Sequence, residues 1–186
     1  MALHIREDIL AKYGDFYSFA LEQSTDALIL KGLDDSAVSE LCDYTARNII
    51  VKDSPKLTDF TFLQKFKDIE NAAIFRCKKF IEVWDITYNP HLQSLVISDC
   101  KKLNNIDTIS YGGKIEHIFI GGKSFNEPYL SSLVPLASQK SLITLDLAVK
   151  KCADTRKIAF NKVWPCLEAL TISPNMRKYF LSENEV

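Results

Sequence analysis

The sequence predicts an α/β solenoid, in which short parallel strands alternate with irregular or helical returns. Two observations lead to this fold class. In the stretch 92–106, apolar residues fall at offsets 0, 3, 5, 8, 11 and 14 from Leu92, which fits a short strand, a tight turn and a return. The same pattern recurs 23 residues earlier from Ile69, and again 23 residues before that from Ala46. A fixed period of this size is the signature of a repeat architecture.

The chain opens with an amphipathic segment. Over residues 4–22, apolar side chains recur every three or four positions, which predicts a helix. They are Ile5, Ile9, Tyr13, Phe16 and Ala20. A repeat array leaves its first strand with an open core end that needs covering. We therefore expect a single domain over residues 1–186, with a helical N-terminal cap over 1–23, about seven repeats over 24–178 and a polar tail over 179–186.

Each repeat is expected to contribute one strand. The first lies around 27–30, and the next three lie near 47–52, 70–75 and 93–98. One anchor residue per repeat recurs at intervals of 21 to 27 positions, and the anchors are Leu28, Ile49, Ala72, Leu95, Ile118, Leu145 and Leu170. Stacking such units into a parallel sheet joins their apolar sides into one core.

The returns between the strands are predicted to differ in conformation. After the first strand, Ser36 can cap a short helix whose Val38 and Leu41 face inward. The fifth repeat is long enough for another helix, whose apolar face would comprise Leu130, Leu133, Val134 and Ala137. The other returns are expected to be 3₁₀ turns or irregular coil, marked by the pairs Phe60/Leu63, Val83/Ile86 and Ile106/Ile109.

These units resemble those of the leucine-rich repeat family, which read L-x-x-L-x-L-x-x-N/C-x-x-L. The resemblance covers residues 25–178, and Cys77 and Cys100 occupy its Asn/Cys position, with Ser54 in the same column. It implies a right-handed solenoid with a parallel sheet on the concave face and short returns on the convex face. It also implies that both thiols point inward. A disulfide or metal site is the alternative, although no histidine or third cysteine shares the column.

Composition excludes several classes of protein. Of the 186 residues, 47% are apolar and 25% are charged, and the net charge of −1 gives no bulk affinity for nucleic acid or membranes. The N-terminus lacks the pattern of a signal peptide, and no apolar run approaches the ~20 residues of a membrane span. Five cysteines without a C-x-x-C pair suit a reducing cytosol. We expect a cytoplasmic monomer or weak dimer with no cofactor and no metal.

The concave face is the predicted partner site. The registers place an apolar strip there, formed by Ile29, Ile50, Ala73, Val96 and Phe119 and followed by Asp146 and Thr171. A contiguous bare strip on a soluble protein marks an interaction site, and Phe75 and Phe119 would anchor the partner. A polar rim would surround them, comprising Arg47, Asn48, Glu70, Arg76, Asp99, Glu116 and Asp146. The sequence leaves open whether the chain itself or a second copy covers this strip.

A basic edge is the alternative site. Lysines fall just after successive strands, namely Lys56, Lys78, Lys79, Lys101, Lys102, Lys123, Lys150 and Lys151, with Arg177 and Lys178 closing the series. Such an edge could bind nucleic acid or another anionic polymer, and this binding would weaken steeply with salt. The simpler interpretation is that these lysines only keep the loops solvated.

Catalysis is not expected. His117 lies at a concave strand position one repeat after Ser94, and a hydrolase would have to use this pair. The sequence shows neither a strained nucleophile turn nor an oxyanion loop beside it. Its glycine pairs do not form a phosphate loop. We therefore expect non-catalytic recognition of a protein, for example by a cytosolic inhibitor or immunity-type protein that masks a toxin or an enzyme.

Overall fold

The computed structural model describes residues 2–5, 27–41, 45–123 and 127–181. Its strands are β1 (Ala2–Ile5), β2 (Ala27–Lys31), β3 (Asn48–Lys52), β4 (Asn71–Phe75), β5 (Ser94–Ser98), β6 (His117–Gly121), β7 (Tyr129–Leu130), β8 (Thr144–Leu147), β9 (Lys151–Cys152) and β10 (Ala169–Ile172). Eight of them form one parallel sheet in the order β1-β10-β8-β6-β5-β4-β3-β2, and β7 pairs with β9. The protein is thus a mixed α/β fold with few helices.

The period of the sequence sets the register of the sheet. Every predicted anchor pairs with the next, through Leu28↔Ile49, Ile49↔Ala72, Ala72↔Leu95, Leu95↔Ile118, Ile118↔Leu145 and Leu145↔Leu170. Because side chains alternate across a strand, each anchor and the residue two positions later share one face. That face packs on the core, and the opposite one is called here the outer face. The predicted strand positions are confirmed.

One continuous core lies between the sheet and the returns. It extends from Leu30 in β2 to Phe180 beyond β10. The sheet contributes its anchor columns, and the returns contribute fully buried side chains such as Leu63, Ile86 and Ile109. The strands and the returns thus bury their apolar sides against each other in this one core.

The returns are mostly 3₁₀ turns, as the short spacings predict. They span Ala37–Leu41, Thr61–Lys65, Ile86–Tyr88, Asp107–Tyr111, Val134–Ser138 and Pro174–Tyr179, and a four-residue α-helix spans Phe160–Val163. Val38 and Leu41 pack against the core as predicted. An aspartate lies just before the first of these turns. The Asp34 carboxylate accepts hydrogen bonds from the backbone N–H groups of Ser36 and Ala37 and from the Ser36 hydroxyl.

The helix predicted over Leu130–Ala137 is wrong. Leu130 instead ends β7 and pairs with Cys152 of β9. Val134 is exposed, and the short 3₁₀ turn begins there with Pro135 as its second residue. Pro135 has no N–H to donate to the carbonyl four residues earlier, and its ring crowds that carbonyl, so an α-helix from Leu130 to Ala137 would be broken at this residue.

The N-terminus joins the sheet at an unexpected place. The sequence predicts a helix over residues 4–22, but His4 and Ile5 lie in β1. This strand pairs with β10, the strand of the last repeat, and not with β2 of the first repeat. The rest of the predicted cap and the tail from residue 182 onward lie outside the described residues.

Each of the strands β2, β3, β4 and β5 is followed by a residue whose backbone has the left-handed conformation. Gly32, Asp53, Arg76 and Asp99 have φ values of 71°, 51°, 52° and 57°. Glycine adopts this conformation without strain, and aspartate tolerates it better than most residues do. Arginine does not share this tolerance, so the position of Arg76 needs a compensating interaction.

Two buried amide side chains hold the returns together. Asn89 Nδ2 donates to the carbonyls of Leu63 and Phe66 at 3.0 and 2.8 Å, while its Oδ1 accepts from the Trp84 indole at 2.7 Å. Gln139 has the same role in a later return, where it donates to the Ile109 carbonyl. A buried amide that makes all these bonds fixes adjacent returns at one spacing.

Candidate interaction surface

The predicted apolar strip is assembled on the outer face as the registers require. Ile29, Ile50, Ala73, Val96 and Phe119 pair one with the next across β2 to β6, and Asp146 and Thr171 continue the column. Four members form a separate apolar cluster, with Phe75 packed against it. The outer face is therefore apolar over the middle strands and polar over β8 and β10.

The strip is not bare. Ile50, Val96 and Phe119 are only 4%, 3% and 4% exposed, whereas Ile29 on the edge strand β2 is 42% exposed. The expectation of an exposed partner-binding strip is thus wrong for these three residues and for the neighbouring Ala73. The sequence shows only that the side chains share a face, and it does not show whether that face is covered.

The residues of the expected polar rim do not all lie on an exposed rim. Asp146 is buried in line with the strip, so it does not lie on an exposed rim. Arg47, Glu70 and Glu116 directly precede their strands, and Arg47 Nη1 lies 3.7 Å from Glu70 Oε1. Arg47 is exposed, whereas Glu70 and Glu116 are half-buried. The backbone carbonyls of Arg47 and Glu70 each accept two N–H groups from the next repeat, which fixes this side of the sheet.

The more accessible groups lie at the C-terminal ends of the strands. Phe75 ends β4 and is half-buried beside Lys52 and Ser98 of the flanking strands. The next residue, Arg76, is exposed and binds Asp53 through Nε–Oδ1 at 2.6 Å and Nη2–Oδ2 at 2.9 Å. Arg76 lowers the pKa of the Asp53 carboxyl below its usual range, through this hydrogen bond first.

The register column that contains Phe75 has no side chain at β6. The position of Phe75 is occupied by Gly121 two strands later. A Cβ atom on Gly121 would lie 2.5 Å from Ala148 Cβ and 3.2 Å from the ring of Phe119. A side chain at this position is excluded by close packing, so the accessible part of the column ends before β6.

The predicted basic edge lies along the same side. All eight of its lysines are exposed, and so are Arg177 and Lys178. Lys78 and Lys79 follow β4, and Lys101 and Lys102 follow β5 one repeat later. Because neighbouring parallel strands are about 4.8 Å apart, the backbone segments that carry these four lysines lie side by side as one band. We call Phe75, Arg76 and this band of Lys78, Lys79, Lys101 and Lys102 the exit surface.

Ser94 and His117 are neighbours as predicted, but the described hydrogen bond of the His117 ring is to a different residue. Ser94 and His117 are partners in the register of β5 and β6. His117 Nδ1 lies 2.9 Å from Thr144 Oγ1 on the far side, in β8. None of the described hydrogen bonds joins Ser94 to His117.

The thiols of Cys77 and Cys100 are buried and hydrogen-bonded, as expected for structural cysteines. Cys77 Sγ donates to the Phe75 carbonyl at 3.4 Å, and Cys100 Sγ donates to the Ser98 carbonyl at 3.5 Å. Both are free thiols and fully buried. Burial raises the pKa of Cys77 to about 11 and that of Cys100 to about 12. Neither group is thereby a ready nucleophile or metal ligand at neutral pH.

Metal-binding clusters and membrane-spanning helices are both absent from the residues that the structure describes. Within these residues, no group of three or more His, Cys, Asp or Glu side chains is placed to hold a metal ion. Among the same residues there is also no helix with the length and apolar character needed to cross a membrane.

Comparisons of the chain with known proteins give no match. No protein-family model matches it, and neither the curated proteins nor the solved structures contain a match. The functional argument therefore depends on the geometry and charge of the chain itself.

Proposed function

We propose that this protein is a non-catalytic binding module of leucine-rich-repeat type that recognises an acidic surface on a protein partner. The exit surface supports this proposal best. It combines a band of four exposed lysines with a half-buried aromatic ring, all within two adjacent repeats. Aromatic and cationic side chains side by side are typical of binding hot spots. The buried strip residues Ile50, Val96 and Phe119 support this surface from the sheet instead of touching the partner.

The charges of the exit surface favour a protein partner over a polyanion. Arg76 is already paired with Asp53, and Asp99 lies in the same column one repeat on. A phosphate backbone running along the column would meet these carboxylates, whereas a protein surface can offer donors to them and carboxylates to the lysines. Electrostatic complementarity of this kind sets partner choice and association rate more than affinity.

A module of this kind acts by occupying a surface of its partner. The paired strands β4 and β5 fix the spacing of Phe75 and the backbone segments that carry the lysine band. An inhibitor or immunity-type protein that masks an enzyme or a toxin is the form of this function that we propose.

Affinity capture with charge-matched variants tests the proposal. Lys78, Lys79, Lys101 and Lys102 are all changed to Gln in one variant. In the control, four exposed lysines off the exit surface are changed to Gln, namely Lys67, Lys114, Lys140 and Lys162. We expect the wild type and the control to retain an acidic protein that the first variant loses, with nuclease-treated extract giving the same result.

Two results would contradict the proposal. Retention of every partner by the exit-surface variant would show that the lysines only solvate the loops. Tight binding of a single-stranded oligonucleotide that weakens steeply with salt, in proportion to the number of phosphates contacted, would favour the nucleic-acid alternative.

A further inference from the structure

A short second sheet continues the exit surface into later repeats. It consists of β7 and β9, which pair through Tyr129↔Lys151 and Leu130↔Cys152. Leu130 and Cys152 are buried, and side chains alternate along a strand, so Tyr129 and Lys151 point outward. Tyr129 is 41% exposed, and Lys151 Nζ lies over its ring at 5.6 Å from the centroid. The sheet thus presents an accessible aromatic ring beside a lysine.

Hydrogen bonds join this sheet to the lysines of the exit surface. Asn104 Nδ2 donates to the Tyr129 carbonyl at 2.8 Å, and the Asn104 carbonyl accepts from the Ser131 backbone N–H at 2.8 Å. Asn104 follows Lys102 by two residues. These two hydrogen bonds therefore place Tyr129 beside the segment that carries Lys102.

The same segment is fixed on its other side. A parallel bridge joins Glu82 to Asn105, and the Val83 N–H donates to the Asn105 carbonyl at 3.1 Å. Lys79 and Lys102 each lie three residues before their member of this bridge, so their backbone positions are neighbours across the repeats. Four exposed residues from successive segments thus form a row, called here the cross-repeat row, which comprises Lys79, Lys102, Tyr129 and Lys151.

We propose that the cross-repeat row binds an extended acidic segment of the partner protein. The proposal rests on the proposed function, because it adds Tyr129 and Lys151 to the exit surface and specifies what that surface takes. The steps between the ends of the row amount to about 14 Å at a strand spacing of about 4.8 Å. An extended chain rises about 3.3 Å per residue, so about four or five residues reach from Lys79 to Lys151.

The chemistry of Tyr129 favours a carboxylate as the group that is bound. The edge of an aromatic ring is electropositive, and the phenol hydroxyl can donate a hydrogen bond. Lys151 adds a full positive charge beside both. A nucleic-acid base would instead stack on a ring face, and the Lys151 ammonium already lies over one face of this ring. An acidic side chain is therefore the better match for this position.

Carboxylates on either side of the row favour a narrow ligand. Asp99 lies three residues before Lys102, and Glu82 lies three residues after Lys79. A broad polyanion would meet these two acids together with the lysines, and the repulsion would weaken its binding. One extended chain is only about as wide as the spacing between neighbouring strands, so it can follow the row and avoid both acids.

Titration of the full-length protein with a labelled hexaglutamate peptide at low salt tests the proposal. Tyr129→Ala and Lys151→Gln should each weaken binding by roughly fivefold or more, because each removes a contact of the row. Lys151→Gln changes only an exposed side chain, so it also decides the case if Tyr129→Ala does not fold. The matched controls are Tyr111→Ala and Lys114→Gln, which alter exposed residues outside the row and should bind as the wild type does.

Lys79→Gln, at the other end of the row, should weaken binding of the same peptide, since one extended chain contacts both ends. If Lys79→Gln weakened binding and Tyr129→Ala and Lys151→Gln did not, the proposal would be overturned, and the exit surface as first defined would remain the binding site. Tighter binding of a six-residue oligothymidylate, lost in Tyr129→Ala, would overturn the proposal in favour of a nucleic acid. Failure of the wild type to bind hexaglutamate would overturn it as well, whereas the proposed function is decided separately by the capture of an acidic protein.

Discussion

Arg76 and Asp53 form a bidentate ion pair across two adjacent repeats, although both residues adopt a left-handed backbone conformation. The two nitrogen–oxygen distances, 2.6 and 2.9 Å, are those of a charge-assisted pair with planar geometry. The left-handed conformation brings the guanidinium of Arg76 beside the carboxylate one repeat earlier. The pair thus offsets the conformational cost of the turn and fixes the border of the exit surface.

This pair makes a prediction about acid stability. Arg76 lowers the pKa of Asp53 in the folded protein, so the pair contributes fully above the unfolded-state pKa of about 4 and is lost as the pH falls through the lower folded-state value. Both side chains are partly exposed, which limits the contribution to about 0.5–1 kcal/mol. Urea unfolding should therefore show that Asp53→Asn loses less stability than the wild type between pH 5 and pH 3.

Asp68→Asn is the control for this experiment, because Asp68 is exposed and lies three residues before β4 begins instead of following a strand. Its stability should fall with pH as steeply as that of the wild type. An Asp53→Asn variant with the same acid dependence as the wild type would show that the ion pair contributes nothing measurable.

The buried amide of Asn89 is predicted to matter more than any surface ion pair. Replacing it with Leu would leave the Trp84 indole N–H and the carbonyls of Leu63 and Phe66 without their partner. Unpaired buried groups cost about 1–3 kcal/mol each, so we expect a loss of about 3 kcal/mol in the free energy of unfolding. Gln93, which is exposed, is the control, since Gln93→Leu should change the free energy of unfolding by less than about 0.5 kcal/mol. Equal stabilities of the two variants would contradict this role of Asn89.

The cysteine column predicts selective alkylation. Because burial raises the pKa of Cys77 and Cys100 to about 11 and about 12, neither forms appreciable thiolate at pH 8. Native protein treated with iodoacetamide should be modified at exposed Cys166 and spared at Cys77 and Cys100, while denatured protein should be modified at all three. A native mass lower by two protons, restored only by reduction, would reveal a Cys77–Cys100 disulfide and contradict the prediction.

The periodic part of the fold could be predicted from the sequence because one spacing determines many contacts. Aligning Leu95 with Ala72 and Ile118 fixes the strand positions, the core face and the order of the strip through alternation alone. The column of Cys77 and Cys100 follows in the same way. These features depend on local spacing and repeat across the chain, so an error in one repeat is corrected by the others.

The features that sequence reasoning missed depend on single, non-repeated contacts. The pairing of β1 with β10 joins the two ends of the described chain, and no periodicity indicates it. The hydrogen bonds from the backbone N–H groups of Ser36 and Ala37 to the Asp34 carboxylate likewise belong to one local turn. Asn89 gives no signal in the apolar pattern, although its side chain joins two returns. The burial of Phe119 also depends on what lies above the sheet, which a register cannot show.

Phe119 and Phe75 provide the last prediction, because the two rings share the outer face but differ in burial. Phe119 is 4% exposed, so Phe119→Ala should lower the free energy of unfolding by about 3–4 kcal/mol, as core phenylalanine truncations do. Phe75 is half-buried on the exit surface, and Phe75→Ala should cost about 1 kcal/mol. Binding should respond in the opposite order, with Phe75→Ala weakening a captured partner by about 2 kcal/mol and Phe119→Ala leaving binding intact while the protein is folded. Urea unfolding and titration of both variants would measure this. If Phe119→Ala were as stable as the wild type and lost the partner, the strip would be bare in solution and would itself be the binding site.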